Sequence, residues 1–188
     1  MDNLIMSIMT AASNNMIIGK NNNLPWKLKE DTEYYLNLVN SQICVYGRKT
    51  FDNDYKNGLT KNKICVVITN NNNKLNTDNV FYTNFNDVYD LLIMTQNKYP
   101  EKKIFILGGY NIYAFFLPKC KYIYFTLINK YYDGDTNFPY YTGYEILSFS
   151  KTYYSEECQC EYQFQIYENT FKNTKVVLNN SNNIKLYY

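Results

Sequence analysis

Histidine is absent from this chain of 188 residues, tryptophan and arginine occur once each as Trp26 and Arg48, and there are only seven glycines and four prolines. Without histidine, and with no close cluster of carboxylates in the sequence, a metal centre is disfavoured. No run approaches the roughly 20 apolar residues of a membrane span, and Met1 to Thr10 lacks the basic start and long apolar centre of a signal peptide. The few glycines nowhere spell G-x-G-x-x-G, which argues against an ordinary Rossmann dehydrogenase. A net charge of +2 with dispersed charges offers nucleic acid no basic patch. The five cysteines, at 44, 65, 120, 158 and 160, are odd in number, and three lie in or beside apolar runs. Reduced thiols in a cytosolic protein are therefore expected, Cys158 and Cys160 included, because no second pair or histidine completes a metal tetrahedron.

What is present is a 46% hydrophobic content, enough for the core of one domain. The usage leans toward Asn, Lys, Ile, Phe and Tyr, with 22 tyrosines, as an AT-rich coding sequence would give. That bias makes the lone Arg48 a mild hint only. Runs 43–46, 64–68, 104–107 and 122–128 are apolar on both faces, as central strands of a covered sheet must be. A fifth run, Leu4 to Ala12, opens the chain. Thr32, Tyr35, Leu36 and Val39 repeat with helical spacing, as do Phe85, Val88, Tyr89 and Leu92. The alternation predicts a mostly parallel sheet with helices on both sides. Tyr162 to Ile166 alternates strictly, and with the aromatic stretch 149–154 it predicts an antiparallel hairpin at a sheet edge. Polar turns are expected at 70–73 and 133–135. Residues 170–188, rich in asparagine, read as a tail or linker beyond a domain of residues 1–169.

Three segments carry the chemistry. Asp31 falls in the first turn of a helix, one position off its apolar stripe, where it either favours the helix dipole or faces a cleft. Before it, Ile17 to Trp26 is a polar loop closed by Leu24-Pro25-Trp26, the pattern of a mobile lid. Gly47-Arg48-Lys49-Thr50 follows a buried strand and begins a helix, so that backbone N–H groups, a hydroxyl and two cations suit a phosphate. Gly108-Gly109 repeats the strand-to-helix arrangement ahead of Ile112, Tyr113 and Phe116, either as a close approach to a ligand or as a plain tight turn.

Taken in order and spacing, Ile18-Gly19, Leu24-Pro25-Trp26, Asp31, 47–51, Gly108-Gly109, Ile112-Tyr113, Thr126 and 133–139 resemble the dihydrofolate reductase family from about Leu4 to Glu168. The resemblance implies a mixed, mostly parallel eight-stranded α/β sheet flanked by helices. It also implies NADPH as cofactor and dihydrofolate as substrate, reduced by hydride transfer to pterin C6 with protonation at N5. By the same resemblance Asp31 would hold the pterin and assist protonation, with Trp26, Tyr113 and Thr126 beside it in the catalytic set. Met9, Ala11, Leu24, Thr32, Tyr35 and Leu107 would line the substrate, and Lys63 would grip its glutamate tail. Arg48, Lys49 and Thr50 would take the cofactor's phosphates. Ala11, Ile18, Gly19, Gly47, Thr69, Asn70, Gly108, Gly109, Tyr110, Asn111, Ile112 and Tyr113 would complete that site, the two glycines joined by a cis peptide.

The chain departs from the family pattern where Tyr35 replaces a phenylalanine, Thr32 an apolar residue, Asn53-Asp54 a Ser-Ile pair and Lys63 an arginine. These changes bear on substrate affinity and inhibitor profile. The other readings are a related reductase of riboflavin synthesis, against which Leu24-Pro25-Trp26 and Asp31 argue, and a non-catalytic binding domain. A fusion partner, thymidylate synthase, would sit beyond the tail; without it the protein is expected to be a monomer with no nucleic-acid or membrane partner.

Overall fold

The computed structural model describes residues 4–71 and 75–170, together with the backbone of two short strands at 176–178 and 185–186. Helices are α1 (Lys29–Val39), α2 (Arg48–Lys56), α3 (Val88–Lys98) and α4 (Tyr110–Phe116). The strands up to the middle of the chain are β1 (Met6–Ser13), β2 (Ile17–Gly19), β3 (Ile43–Gly47), β4 (Ile64–Ile68), β5 (Val80–Thr83) and β6 (Ile104–Ile106). After α4 come β7 (Tyr122–Asn129), β8 (Thr136–Asn137), β9 (Tyr140–Tyr141), β10 (Tyr144–Phe149), β11 (Tyr153–Ser155) and β12 (Cys160–Asn169). The last two are β13 (Val176–Leu178) and β14 (Lys185–Leu186).

The main sheet has the order β10-β12-β7-β1-β6-β3-β4-β5, with β11 also paired to β12. β10 and β11 meet successive stretches of β12 and share one edge position, so the ladder is eight strands wide. Parallel pairing joins β1 to β6 and β7, β3 to β4 and β6, and β4 to β5, while β12 runs antiparallel to its neighbours. This is the mixed, mostly parallel sheet expected from the alternation of elements and the terminal hairpin, with the eight strands that the family resemblance implies. The β11–β12 pairing of Tyr153 with Tyr162 and Ser155 with Cys160 is the expected terminal hairpin. The central strands are buried on both faces because helices cover both sides, which is why they read as unbroken apolar runs.

The chain moves outward through β3, β4 and β5, then returns to insert β6 between β1 and β3 before continuing to β7. Ligands of such sheets bind outside the carboxyl ends of the strands, where this reversal leaves a crevice.

Three features differ from the sequence expectation, and a fourth concerns the segment beyond residue 169. Helix α3 starts at Val88, not Phe85, because the Asn84 side chain accepts the N–H groups of Asn86 and Asp87 and holds Phe85 in a turn. The loop expected before Trp26 carries a short strand. β2 pairs with β8, Asn21 donates its N–H to Asp135 at 2.7 Å, and Lys20 pairs with Asp133 at 2.7 Å. Gly134 permits the approach, since a Cβ there would lie 2.4 Å from Ile17 Cγ2.

The third difference is a correction: Cys158 and Cys160 are joined in a disulfide, and only Cys44, Cys65 and Cys120 are free. On an extended strand residues i and i+2 lie about 6.6 Å apart. Gln159, with φ of 50°, turns the chain in the left-handed sense and brings the two Cα atoms to 5.4 Å, near the commonest spacing across a bridge. Fourth, β13 pairs antiparallel with Tyr140–Tyr141 of β9, and β14 with β13. The rest of the segment read as a tail, like 72–74 of the turn expected at 70–73, lies outside the described residues.

Candidate active site

One cleft of about 750 Å³ opens at the carboxyl ends of β1, β3, β4 and β6. β1 brings Met9 and Ala11 to its floor, α1 brings Asp31, Thr32 and Tyr35 to one wall, and Leu24 lies at the rim. Gly47 and the start of α2 contribute Arg48, Lys49 and Thr50, and the end of β4 contributes Thr69 and Asn70. Leu107 and Gly109 lead into α4, whose Tyr110, Asn111, Ile112 and Tyr113 also face the cleft, opposite Ile18 and Gly19. Elements far apart in sequence thus place all of these expected site residues around one space.

Four expected residues stand behind the wall. Trp26 is buried, edge-on to Tyr132 at 5.3 Å between ring centres, in a cluster with Leu28, Ile128 and the Cys158–Cys160 bridge. Thr126 is wholly buried on β7. Gly108 forms the turn beneath Tyr113 and is joined to Gly109 by the expected cis peptide. Lys63 is 3% exposed and donates its Nζ to the Tyr35 hydroxyl at 2.9 Å.

Asp31 is the most perturbed acid facing the cleft. It is 7% exposed, burial raises its pKa to about 6, and the nearby Thr126 hydroxyl opposes the rise. Its Oδ1 nevertheless has no well-formed hydrogen bond, and neither do Thr126 Oγ1 or Trp26 Nε1. A buried carboxylate oxygen without a donor is costly unless a ligand supplies one. No cation forms an ion pair with Asp31 among the described residues.

The opposite side of the cleft suits an anion. The first N–H groups of an α-helix lack intrahelical partners, and α2 opens with Arg48, Lys49 and Thr50 at that point. The Gly47 N–H is not free for a ligand, because it donates to Gly108 O at 2.7 Å and locks the two strand-to-helix turns together. Arg48 is partly exposed and pairs with Asp52 one turn on at 2.6 Å. Tyr113 donates its hydroxyl to Met9 O at 2.9 Å, tying α4 to β1 at the point where the acidic and anion-binding halves meet.

Thr10, Asn53, Asp54, Phe85 and Thr136 also line the cleft and were not anticipated as site residues. For Thr136 the signal was the loop 133–139, whose role in closing over β2 has no local pattern. For Asp54 it was an acid where an apolar residue is the family habit.

Comparison with known proteins agrees with this geometry. A family model described as dihydrofolate reductase matches residues 5–169. The chain belongs to the dihydrofolate reductase family. It is 30% identical over 172 residues to the dihydrofolate reductase of Enterococcus faecium, covering 90% of this chain and 98% of that one. It is 28% identical over 167 residues to that of Staphylococcus haemolyticus, covering 88% and 96%. Among solved structures it is similar to dihydrofolate reductase from Enterococcus faecalis complexed with NADP(H) and RAB-propyl, with a TM-score of 0.75 and 22% identity over 89% of this chain and 97% of that one. The family's fold is therefore the fold found here. No helix among the described residues is long and apolar enough to cross a membrane, and none of them form a cluster suited to a metal ion.

Proposed function

We infer that this member of the dihydrofolate reductase family reduces 7,8-dihydrofolate to tetrahydrofolate with NADPH. The observation that carries the reading is Asp31: a buried acid lining the cleft, with an oxygen left unpaired and a pKa raised to about 6. A pterin's 2-amino group and ring N–H are two adjacent donors that match a carboxylate. A pKa near neutrality suits the same group to assist protonation of the pterin, because proton transfer is most effective from an acid poised near the working pH.

The residues present fit the cofactor. Arg48, Lys49 and Thr50 at the start of α2 would hold its phosphate groups, and the Gly109–Tyr113 segment would pass along its pyrophosphate. When bound, NADPH supplies the hydride for pterin C6. The chain's own contribution is alignment and dryness. Met9, Ala11 and Leu107 floor the cleft with apolar surface, and the Tyr113–Met9 hydrogen bond holds the junction rigid. Thr126 acts on Asp31 as a positioning residue in this scheme, Trp26 supports the wall from the cluster around Ile128, and Lys63 reaches the substrate's tail only through Tyr35. Dihydrofolate and NADPH are the partners we assign, with the cytosol, where both occur, as the site of action.

Mixing the protein with NADPH and dihydrofolate should consume the two in equal amounts, and Asp31→Asn should lose most of that turnover at neutral pH. Consumption of NADPH without dihydrofolate, or an Asp31→Asn variant as active as the parent, would overturn the assignment.

A further inference from the structure

Once a pterin lies against Asp31 and the cofactor lies along α2 and α4, the part of the cleft still unassigned is bounded by Thr32, Tyr35, Asp54 and Leu59. A pterin's substituent must run there. That end holds a buried polar chain. Tyr35 on α1 donates its hydroxyl to Asp54 Oδ2 on α2 at 3.1 Å, and the Tyr35 hydroxyl oxygen in turn accepts from Lys63 Nζ at 2.9 Å. Lys63 Nζ also lies 4.3 Å from the centre of the Tyr35 ring. With its one proton given to Asp54, Tyr35 can only accept from the Tyr46 hydroxyl 3.4 Å away.

The charge balance of this chain decides what the pocket accepts. Lys63 is the only cation in the cluster, it is 3% exposed, and it sits behind Tyr35 rather than on the surface of the cleft. Asp54 lines the cleft directly. A carboxylate entering this end therefore meets a carboxylate first and, behind Tyr35, a buried lysine linked to that same acid through the Tyr35 hydroxyl. An ammonium or neutral donor meets an acceptor.

We propose that Asp54 is a specificity-determining residue: by holding Lys63 through Tyr35 it makes the tail end of the cleft prefer uncharged or cationic substituents over carboxylates. The proposal rests on the function assigned above. It predicts that a dihydropterin with a carboxylate tail draws little affinity from that tail, and that a pyrimidine carrying an amine at this end binds better than its carboxylate counterpart.

The test is Asp54→Asn, which keeps an oxygen for the Tyr35 hydroxyl but removes the charge that matches Lys63. Dissociation constants are read by calorimetry for dihydrofolate, for tail-less 6-methyl-7,8-dihydropterin, and for a 2,4-diaminopyrimidine with a primary aminoalkyl group. Dihydrofolate should bind about 10-fold more tightly to the variant, because the positive field of Lys63 behind Tyr35 is then no longer offset by Asp54. The aminoalkyl ligand should bind about 10-fold more weakly, and the tail-less ligand should shift by less than about twofold. Lys63→Gln added to Asp54→Asn should erase the gain for dihydrofolate, because that cation is its source. Equal shifts for tailed and tail-less ligands, or no gain for dihydrofolate, would overturn the proposal. Binding does not depend on turnover, so the predicted order of affinities in a protein that failed to reduce dihydrofolate would retract the assigned reaction and keep the inference.

Discussion

The ring of Tyr113 lies directly against Gly108: a Cβ at that glycine would sit 2.6 Å from the ring's Cε2 and Cζ. Gly108 also has φ of 92°, a conformation that side chains strain to adopt. Gly108→Ala should therefore push Tyr113 off Met9, breaking the 2.9 Å hydrogen bond between α4 and β1, at a cost of at least about 2 kcal/mol. Gly109→Ala meets only Thr50 Oγ1, at 3.6 Å, and the position has a negative φ of −80°. It should fold nearly as well and instead weaken NADPH binding by crowding the start of α2. Chemical denaturation and NADPH titration of the two variants separate these outcomes; a Gly108→Ala protein as stable as the parent would remove the Tyr113 contact from the account.

Arg48 is held by Asp52 at 2.6 Å in an exposed pair, so a phosphate must compete for it. Such surface pairs are worth little, about 0.3–0.5 kcal/mol at i,i+4 on a helix. A bond to phosphate should exceed that. Arg48→Ala is expected to raise the Kd for NADPH about 10-fold and leave that for NADH within about twofold. Asp52→Asn should tighten NADPH slightly, with the gain vanishing at high salt. Equal weakening of both cofactors by Arg48→Ala would move the residue from the 2'-phosphate to the pyrophosphate they share.

Burial raises the Asp31 pKa from 3.8 to about 6, which means that the folded protein holds this proton more tightly than the unfolded chain does. The penalty is absent below about pH 4 and complete above about pH 6, so Asp31 makes stability fall as pH rises through that window. The amount is about 3 kcal/mol. Asp31→Asn should then be the more stable protein at pH 7.5 while losing turnover, and its melting temperature should change less between about pH 4 and pH 6.5. A variant with the parent's pH dependence of melting would show that Asp31 does not carry the shift.

Among five cysteines, Cys44, Cys65 and Cys120 are buried, and burial pushes their thiols up, Cys65 to about 12. Thiolate is the reactive form. Alkylation of the native oxidised protein should label none of them; denaturation should expose three, and reduction after denaturation all five. Mass spectrometry counts the labels. A native protein that takes up two labels would mean that Cys158 and Cys160 are thiols in solution, as sequence alone had suggested.

The sheet's centre was readable because strands covered on both faces need apolar residues throughout, as in Ile43–Gly47 and Ile64–Ile68. β5 was missed: Val80–Thr83 is only four residues long, half-buried, and preceded by the polar Asp78 and Asn79. The Cys158–Cys160 bridge depends on the left-handed turn at Gln159, which no strand periodicity reveals. The cleft's residues were legible mainly where a strand runs into a helix, as at Gly47–Thr50 and Leu107–Tyr113. The Tyr35–Asp54–Lys63 chain was not, since its members come from α1, α2 and the approach to β4 and share no local spacing. Nor does spacing show that Lys63 lies behind the wall while Asp54 lies on it.

The most direct test of the central claim is the single-turnover rate of NADPH oxidation by dihydrofolate, followed by stopped flow from about pH 5 to about pH 8. If Asp31 binds the pterin and governs its protonation, the rate should be highest at low pH and fall with rising pH through an apparent pKa near 6, shifted by whatever charge the bound ligands add. Asp31→Asn should be far slower at neutral pH and lose that inflection, recovering only as solution protons become abundant. A rate that is flat across the range in the parent, or an inflection that survives in Asp31→Asn, would contradict the assignment of Asp31 and with it the mechanism built on this cleft.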